Sequence, residues 1–263
     1  MSKKRKKGSL TVVGTGIEAV THITMQAQAC IEQADKVFYA MADPITIQWI
    51  RKHNSSAESL SSLYSTKKLR RLTYSEMAEQ ILKHVRQGLK VCAAFYGHPG
   101  VLAEPGHAAI RQARIEGFPA RMLPGISAMD CLYADVGLDP NAVGAQSYGA
   151  TYFLRNVRRF DPRHPLLLWQ IGFIGEAKVP LRACNRRGLK LLVGELRKFY
   201  PGRHKVILYE ASQFAVCKPR VHWVRVSDLA KVRVSPLTTL YVPPVGEPRR
   251  DHRMARQLKK VSG

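Results

Sequence analysis

No apolar run in this chain approaches the roughly 20 residues that a membrane-spanning helix needs. The start, MSKKRKKGSLTVVG, holds only a strand-length apolar piece and no cleavage-site pattern, so it does not read as a signal peptide. The five cysteines (Cys30, Cys92, Cys131, Cys184 and Cys217) are odd in number, scattered and never arranged as CxxC. That favours reduced core thiols in a cytoplasmic protein over disulfides or zinc. The nine histidines show no HxxxH-type spacing, so no metal is expected. Internal repeats are absent, low complexity is confined to the termini, and no aromatic RNA-recognition signature is present.

Acidic residues are also scarce. Asp and Glu number 19 against 42 Lys and Arg, for a formal charge of +23 over 263 residues. Two basic blocks account for much of it, Lys3–Lys7 at one end and Arg249, Arg250, Arg253, Arg256, Lys259 and Lys260 at the other. Such blocks are usually solvated tails. They are also able to attract nucleic acid, an anionic membrane or an acidic partner.

The most informative stretch is Val91–Asp130. Val91–Phe95 is an apolar run of strand length, and Tyr96-Gly97-His98-Pro99-Gly100 ends it with turn formers. Ala108–Ile115 has helical spacing, Arg121–Leu123 is extended, and Pro124-Gly125 turns into a helix over Ala128–Val136, with Ser127 as its cap and Gly137 as its stop. Strands alternating with helices predict an α/β fold with a parallel sheet, ligands lying outside the strands' carboxyl ends. Upstream, Leu10–Val13 leads into Gly14-Thr15-Gly16. With Ala19 this fits the dinucleotide fingerprint, although the acidic residue expected to follow, Asp43, comes late. Asn54–Ser65 reads as a polar loop. The next helix carries Met77, Ile81, Leu82 and Val85 on one face, with Thr73 as its expected cap. Arg70 and Tyr74 stand four apart, so an early helix start would put them on one face. A guanidinium there would favour phenolate, making Tyr74 a candidate base; a plain surface contact is the alternative.

The motifs GSLTVVGTGIE, DKVFYAMADP, YGHPGV, LPGISA, LLLWQIG and PLTTLYVPP, from Gly8 to about Pro244, resemble the tetrapyrrole-methylase superfamily of S-adenosylmethionine-dependent methyltransferases. Within it, YGHPGV and the Arg70/Tyr74 pair are most similar to the borosin peptide backbone α-N-methyltransferases. The resemblance implies two α/β domains with the cofactor cleft between them. The expected bounds are a basic tail 1–7, an N-terminal domain 8–140, a C-terminal domain 141–246 and a basic tail 247–263. By that resemblance Tyr64, Arg70, Tyr74 and Tyr96 surround the reacting amide. Gly14, Gly16, Tyr96, His98, Val101, Ser127, Ala128, Gln170, Ala211, Thr238 and Thr239 would hold S-adenosylmethionine, released as S-adenosylhomocysteine. A tyrosine that some relatives place three before Tyr64 is Ser61 here, which puts the full tyrosine cluster in question.

With no substrate-like apolar core after Pro244, the expected acceptor is a separate precursor peptide, with the enzyme a homodimer or a heterotetramer with that precursor. Membrane and nucleic-acid partners are not expected. The alternatives are a methyltransferase of the same fold acting on ribosomal RNA or a tetrapyrrole, a basic nucleic-acid-binding protein with a relic methylase domain, and an NAD oxidoreductase. Because Ser2–Lys7 lie outside the resemblance, deleting them should leave the melting temperature and S-adenosylhomocysteine affinity unchanged. Calorimetry and a thermal melt on the shortened chain check this.

Overall fold

The computed structural model describes residues 7–157, 159–178 and 184–261. The basic residues Lys3–Lys6 lie outside that set. The chain forms two compact units.

The first unit runs to Leu138 and takes back two later stretches, one from Glu176 and one over Glu210–Arg220. It contains β1 (Ser9–Gly14), α1 (Met25–Glu32), β2 (Lys36–Ala40), α2 (Pro44–His53), β3 (Glu58–Ser59), α3 (Arg70–Arg86), β4 (Lys90–Phe95), α4 (Glu104–Ile115), β5 (Ala120–Met122) and α5 (Ala128–Val136). The strands form one sheet in the order β3-β2-β4-β1-β5, with every neighbouring pair parallel. Such a sheet must be covered on both faces, and alternate residues show how. Leu10, Val12, Phe38, Ala93 and Phe95 pack with Met77, Ile81, Leu82 and Val85 of α3 and Ala109 and Ala113 of α4. Their neighbours Val13, Val37, Tyr39, Cys92 and Ala94 pack with Ala27 and Ile31 of α1 and Ile50 of α2.

The second unit holds Asp139–Gly175, the stretch ending at Tyr209, and the chain from Val221. Its elements are α6 (Pro140–Val143), β6 (Gln146–Gly149), α7 (Ala150–Asn156), β7 (Leu166–Trp169), α8 (Arg186–Leu196), β8 (Lys205–Glu210), β9 (Arg220–Arg225), β10 (Thr239–Val242) and α9 (His252–Val261). The sheet order is β6-β7-β10-β8-β9, with β6 parallel to β7 and β10 antiparallel to both β7 and β8. Leu189, Leu192 and Leu196 turn one face of α8 onto this sheet's core. No helix among the described residues is long and apolar enough to cross a membrane.

Several details differ from the sequence reading. The two stretches that group with the first unit lie within the expected 141–246 domain; one accepts the Arg70 N–H of α3 on the Ala177 carbonyl, and the other accepts the Ala19 N–H of the loop after β1 on the Gln213 carbonyl. The stretch read as a loop over Asn54–Ser65 contains β3 and a 3₁₀ turn at Ser61–Leu63. Of the five cysteines, all free, only Cys92 is fully buried, and Cys217 is exposed. Thr73 is not a cap. Helix α3 already starts at Arg70, leaving Thr73 buried within its first turn.

The far ends of α3 and α4 are joined by Arg86, whose guanidinium meets Glu116 at 2.7 Å and also pairs with Glu79. Arg86 first, then Gln112, holds the Glu116 carboxyl down to about 2 from an ordinary 4.5. A carboxylate with a depressed folded-state pKa stabilises the fold above its unfolded value and loses that contribution as pH falls through the folded one. Glu116→Gln should therefore lower the urea midpoint above pH 4.5, with the gap to wild type closing as pH falls towards 2. A pH series of urea melts on both proteins measures it.

Candidate active site

Three turns leave the carboxyl ends of β1, β4 and β5, and they lock to one another through backbone. Gly97 donates its N–H to the Gly16 carbonyl at 2.8 Å, and Gly16 donates to the Gly97 carbonyl at 3.2 Å. Both glycines have positive φ, 74° and 72°. A Cβ on Gly14 would stand 2.2 Å from the Gly97 carbonyl oxygen, and one on Gly125 would stand 3.1 Å from the same atom. The glycines of GTG, YGHPG and LPGIS are thus required by one another's proximity.

The sequence between these turns and α1 has no helix opening at Gly16 or Ala19; α1 begins only at Met25. A dinucleotide fingerprint needs that helix end for its pyrophosphate, so the GTG here lacks the context the fingerprint requires. Nor do Gly14–Gly16, Tyr96–Val101 or Leu123–Ala128 contain a single Lys or Arg, in a chain with 42 of them. An uncharged donor set of this kind suits a cationic or neutral ligand better than a phosphate.

Tyr96 follows β4 directly and is half-buried. Its hydroxyl accepts a hydrogen bond from Gln213 Nε2 at 3.4 Å. Burial raises the phenol above its ordinary pKa, Gln213 opposes the rise, and Cys131 and Asp43 add to it. His98 Nδ1 accepts the Gly100 N–H at 2.9 Å, so its ring proton resides on Nε2 and remains a donor. Val101 is 38% exposed. Ser127 is buried and caps α5: its Oγ accepts from Met129 and Asp130 N–H, while Asp130 Oδ2 accepts from Ser127 N–H and Oγ, each at 2.7 Å. That capping box fixes where Ala128 begins α5.

Tyr64, Arg70 and Tyr74 form a second group. Tyr64 ends the 3₁₀ turn and is 42% exposed. Burial of its hydroxyl, the neighbouring Tyr74 and a hydrogen bond to Tyr74 push its phenol up to about 12, with Arg70 opposing. Helix α3 has no side-chain N-cap. A strap from later in the chain supplies the cap, Ala177 accepting the Arg70 N–H at 2.9 Å while Leu69 bridges Lys178. The Arg70 guanidinium donates from Nη2 to the Glu176 carbonyl at 2.5 Å.

Ala211, in the first unit, opens the second strap. Gln170, Thr238 and Thr239 belong to the second unit. Gln170 ends β7 in the left-handed region, φ 57°, ψ 42°, a conformation that costs a non-glycine residue about 1–3 kcal/mol. Thr238 and Thr239 are buried at the start of β10, and Thr238 Oγ1 accepts the Ser235 N–H at 2.7 Å. Sequence reasoning missed Gln213, Glu176 and Ala177. No local spacing marks them, since each reaches its partner from about a hundred residues away.

The model of the tetrapyrrole (corrin/porphyrin) methylases matches residues 9–212. The chain belongs to this family. It is 40% identical over 247 residues to a methyltransferase/ribosomally synthesized cyclic peptide gymnopeptides precursor of Gymnopus fusipes, covering 92% of this chain and 59% of the relative. It is likewise 40% identical over 248 residues to the omphalotin A methyltransferase/precursor of Omphalotus olearius, covering 92% and 59%. A type I borosin methyltransferase/precursor of Coprinopsis marcescibilis is 42% identical over 245 residues, covering 91% and 63%. The chain thus spans about three-fifths of these relatives' length. Among tetrapyrrole methylases of known structure, it superposes on uroporphyrin-III-C-methyltransferase from Thermus thermophilus with a TM-score of 0.63 at 18% identity, covering 90% and 92% of the two chains. A diphthine synthase gives 0.62 at 16%, covering 96% and 95%. These two likenesses establish the mixed α/β methylase fold.

Gly14→Ala should destabilise the chain by about 1–3 kcal/mol, because the added methyl meets a backbone carbonyl that cannot rotate away. Gly194→Ala in α8, where a Cβ meets nothing within 4 Å, should instead stabilise by about 0.5–1 kcal/mol. Paired urea melts test the contrast; equal effects would show that the three turns are not packed on Gly14.

Proposed function

We propose that this chain transfers methyl groups from S-adenosylmethionine to backbone amide nitrogens of a polypeptide. The observation that carries the reading is the Tyr64–Arg70–Tyr74 group, with Arg70 fixed on two consecutive strap carbonyls. Relatives named for ribosomally made peptides, about 40% identical along nearly the whole chain, support it.

The donor set fits the cofactor. Neutral donors (the Tyr96 hydroxyl, His98 Nε2–H) and glycine backbone line the turns without a cation to repel a sulfonium. When bound, the cofactor supplies an electrophilic methyl group, so the chain's own residues have only to prepare the nucleophile.

An amide nitrogen is a poor nucleophile because its lone pair is delocalised into the carbonyl. Its proton must leave as the new bond forms, and charge then builds on the carbonyl oxygen. Tyr64 keeps its proton at neutral pH and gives it in a hydrogen bond to Tyr74. Tyr74, reacting as its phenolate, takes the amide proton and becomes a neutral phenol. The Arg70 guanidinium, seated on the Glu176 carbonyl, brings a fixed planar positive charge to where negative charge develops.

The test supplies methyl-labelled cofactor with three acceptors in parallel: an apolar synthetic peptide, total RNA and uroporphyrinogen. Fragmentation mass spectrometry of peptide and enzyme locates any methyl. Label on a backbone nitrogen, of the peptide or of the chain itself, supports the reading; label only on RNA or the macrocycle overturns it. Tyr74→Phe should cut the single-turnover rate by ~10²–10⁴-fold with cofactor affinity and melting temperature unchanged. Near-wild-type turnover would remove Tyr74 as base.

A further inference from the structure

The second strap, Glu210–Arg220, does more than close the first unit. Its ends are joined by the Glu210–Arg220 ion pair at 3.0 Å. Ser212 Oγ donates to the Phe214 carbonyl at 2.8 Å and accepts the Phe214 N–H at 3.2 Å, fixing the turn around Gln213. The Gln213 carbonyl accepts the Ala19 N–H at 2.9 Å, which ties the strap to the loop after β1. That loop is itself strained. Val20, next to Ala19, has φ 65°, a genuine outlier for a β-branched residue. Glu18 and His22 hold it there, the Glu18 N–H donating to His22 Nδ1 at 3.1 Å. The Gln213 backbone is therefore set by two independent contacts, and its side chain delivers Nε2 to the Tyr96 hydroxyl.

We infer that Gln213 is a positioning residue: by donating to the Tyr96 oxygen it turns the phenolic proton outward, so that Tyr96 serves the reaction as a hydrogen-bond donor and not as a base. The inference rests on the methyl-transfer reading for its role in catalysis. Its chemistry follows from the atoms. A phenol oxygen has one proton to give and lone pairs to receive with. A carboxamide NH₂ has no lone pair to offer, so it occupies the receiving side alone. Burial, which raises the phenol against the opposing effect of Gln213, keeps that proton on Tyr96. The natural recipient of the freed proton is an oxygen that gains charge during transfer, such as the acceptor amide carbonyl.

Two readouts test it, one of them independent of activity. Chains labelled with ¹³Cζ-tyrosine, with Tyr96 assigned by its absence in Tyr96→Phe, report the Tyr96 phenol directly. In Gln213→Leu its alkaline titration midpoint should rise, because a donor that eases ionisation has gone. In Gln213→Glu it should rise further, since a carboxylate repels phenolate. Midpoints unchanged in both variants would overturn the inference. In single-turnover assays Gln213→Leu and Gln213→Glu should each lose up to ~10²-fold. The double variant Gln213→Leu with Tyr96→Phe should be no slower than Tyr96→Phe alone, as expected for a residue acting through another. Additive losses would make Gln213 a structural residue and overturn the inference. Shifted Tyr96 midpoints in a chain that methylates no acceptor would sustain Gln213's hold on Tyr96 and refute the methyl-transfer reading.

Discussion

β1 ends on Gly14 because a peptide carbonyl occupies the space a side chain would need. The Gly97 oxygen stands 2.2 Å from where a Cβ on Gly14 would be, and a Cβ on Gly125 would come within 3.1 Å of the same atom. One carbonyl thus sets the separation of three turns, and those turns set where Tyr96, His98 and Ser127 leave the sheet. The parallel sheet beneath them is buried on both faces, so the turns stand on a support that does not yield.

The candidate residues are held by a common device, a segment from far along the chain. Arg70 rests on the carbonyls of Glu176 and Ala177, and Tyr96 on Gln213, whose own carbonyl is bound by Ala19. Main-chain groups are well suited to this. Their position follows from the path of the chain and carries no rotamer freedom, so little entropy is lost in holding the Arg70 guanidinium. The same straps account for the absence of a side-chain cap on α3, since Ala177 satisfies an N–H that Ser, Thr or Asp would otherwise serve.

What could be read from the sequence was whatever is written locally. β2 was legible in its five residues, and the Ser127 cap and Gly137 stop of α5 follow from positions a few residues apart. β1 and β4 likewise show as short apolar runs of strand length. Thr73 misled because its residue type suits a cap, whereas the capping group came from the other half of the chain. The two straps were illegible for the same reason, since membership of a unit is decided by which backbone a strap returns to. The dinucleotide fingerprint at GTG matched in letters and failed in context, with no helix opening there.

The separation of Gln213 from Tyr96, 117 residues, also sets an order of events during synthesis. A ribosome adding 5–20 residues per second needs roughly 6–23 s to cover that interval. The N-terminal sheet emerges first and can assemble while Tyr96 still lacks its partner. Only after the later segment has left the exit tunnel does the phenol acquire its fixed orientation. The nascent chain therefore passes through a stage at which the scaffold is built and the chemistry is not yet armed.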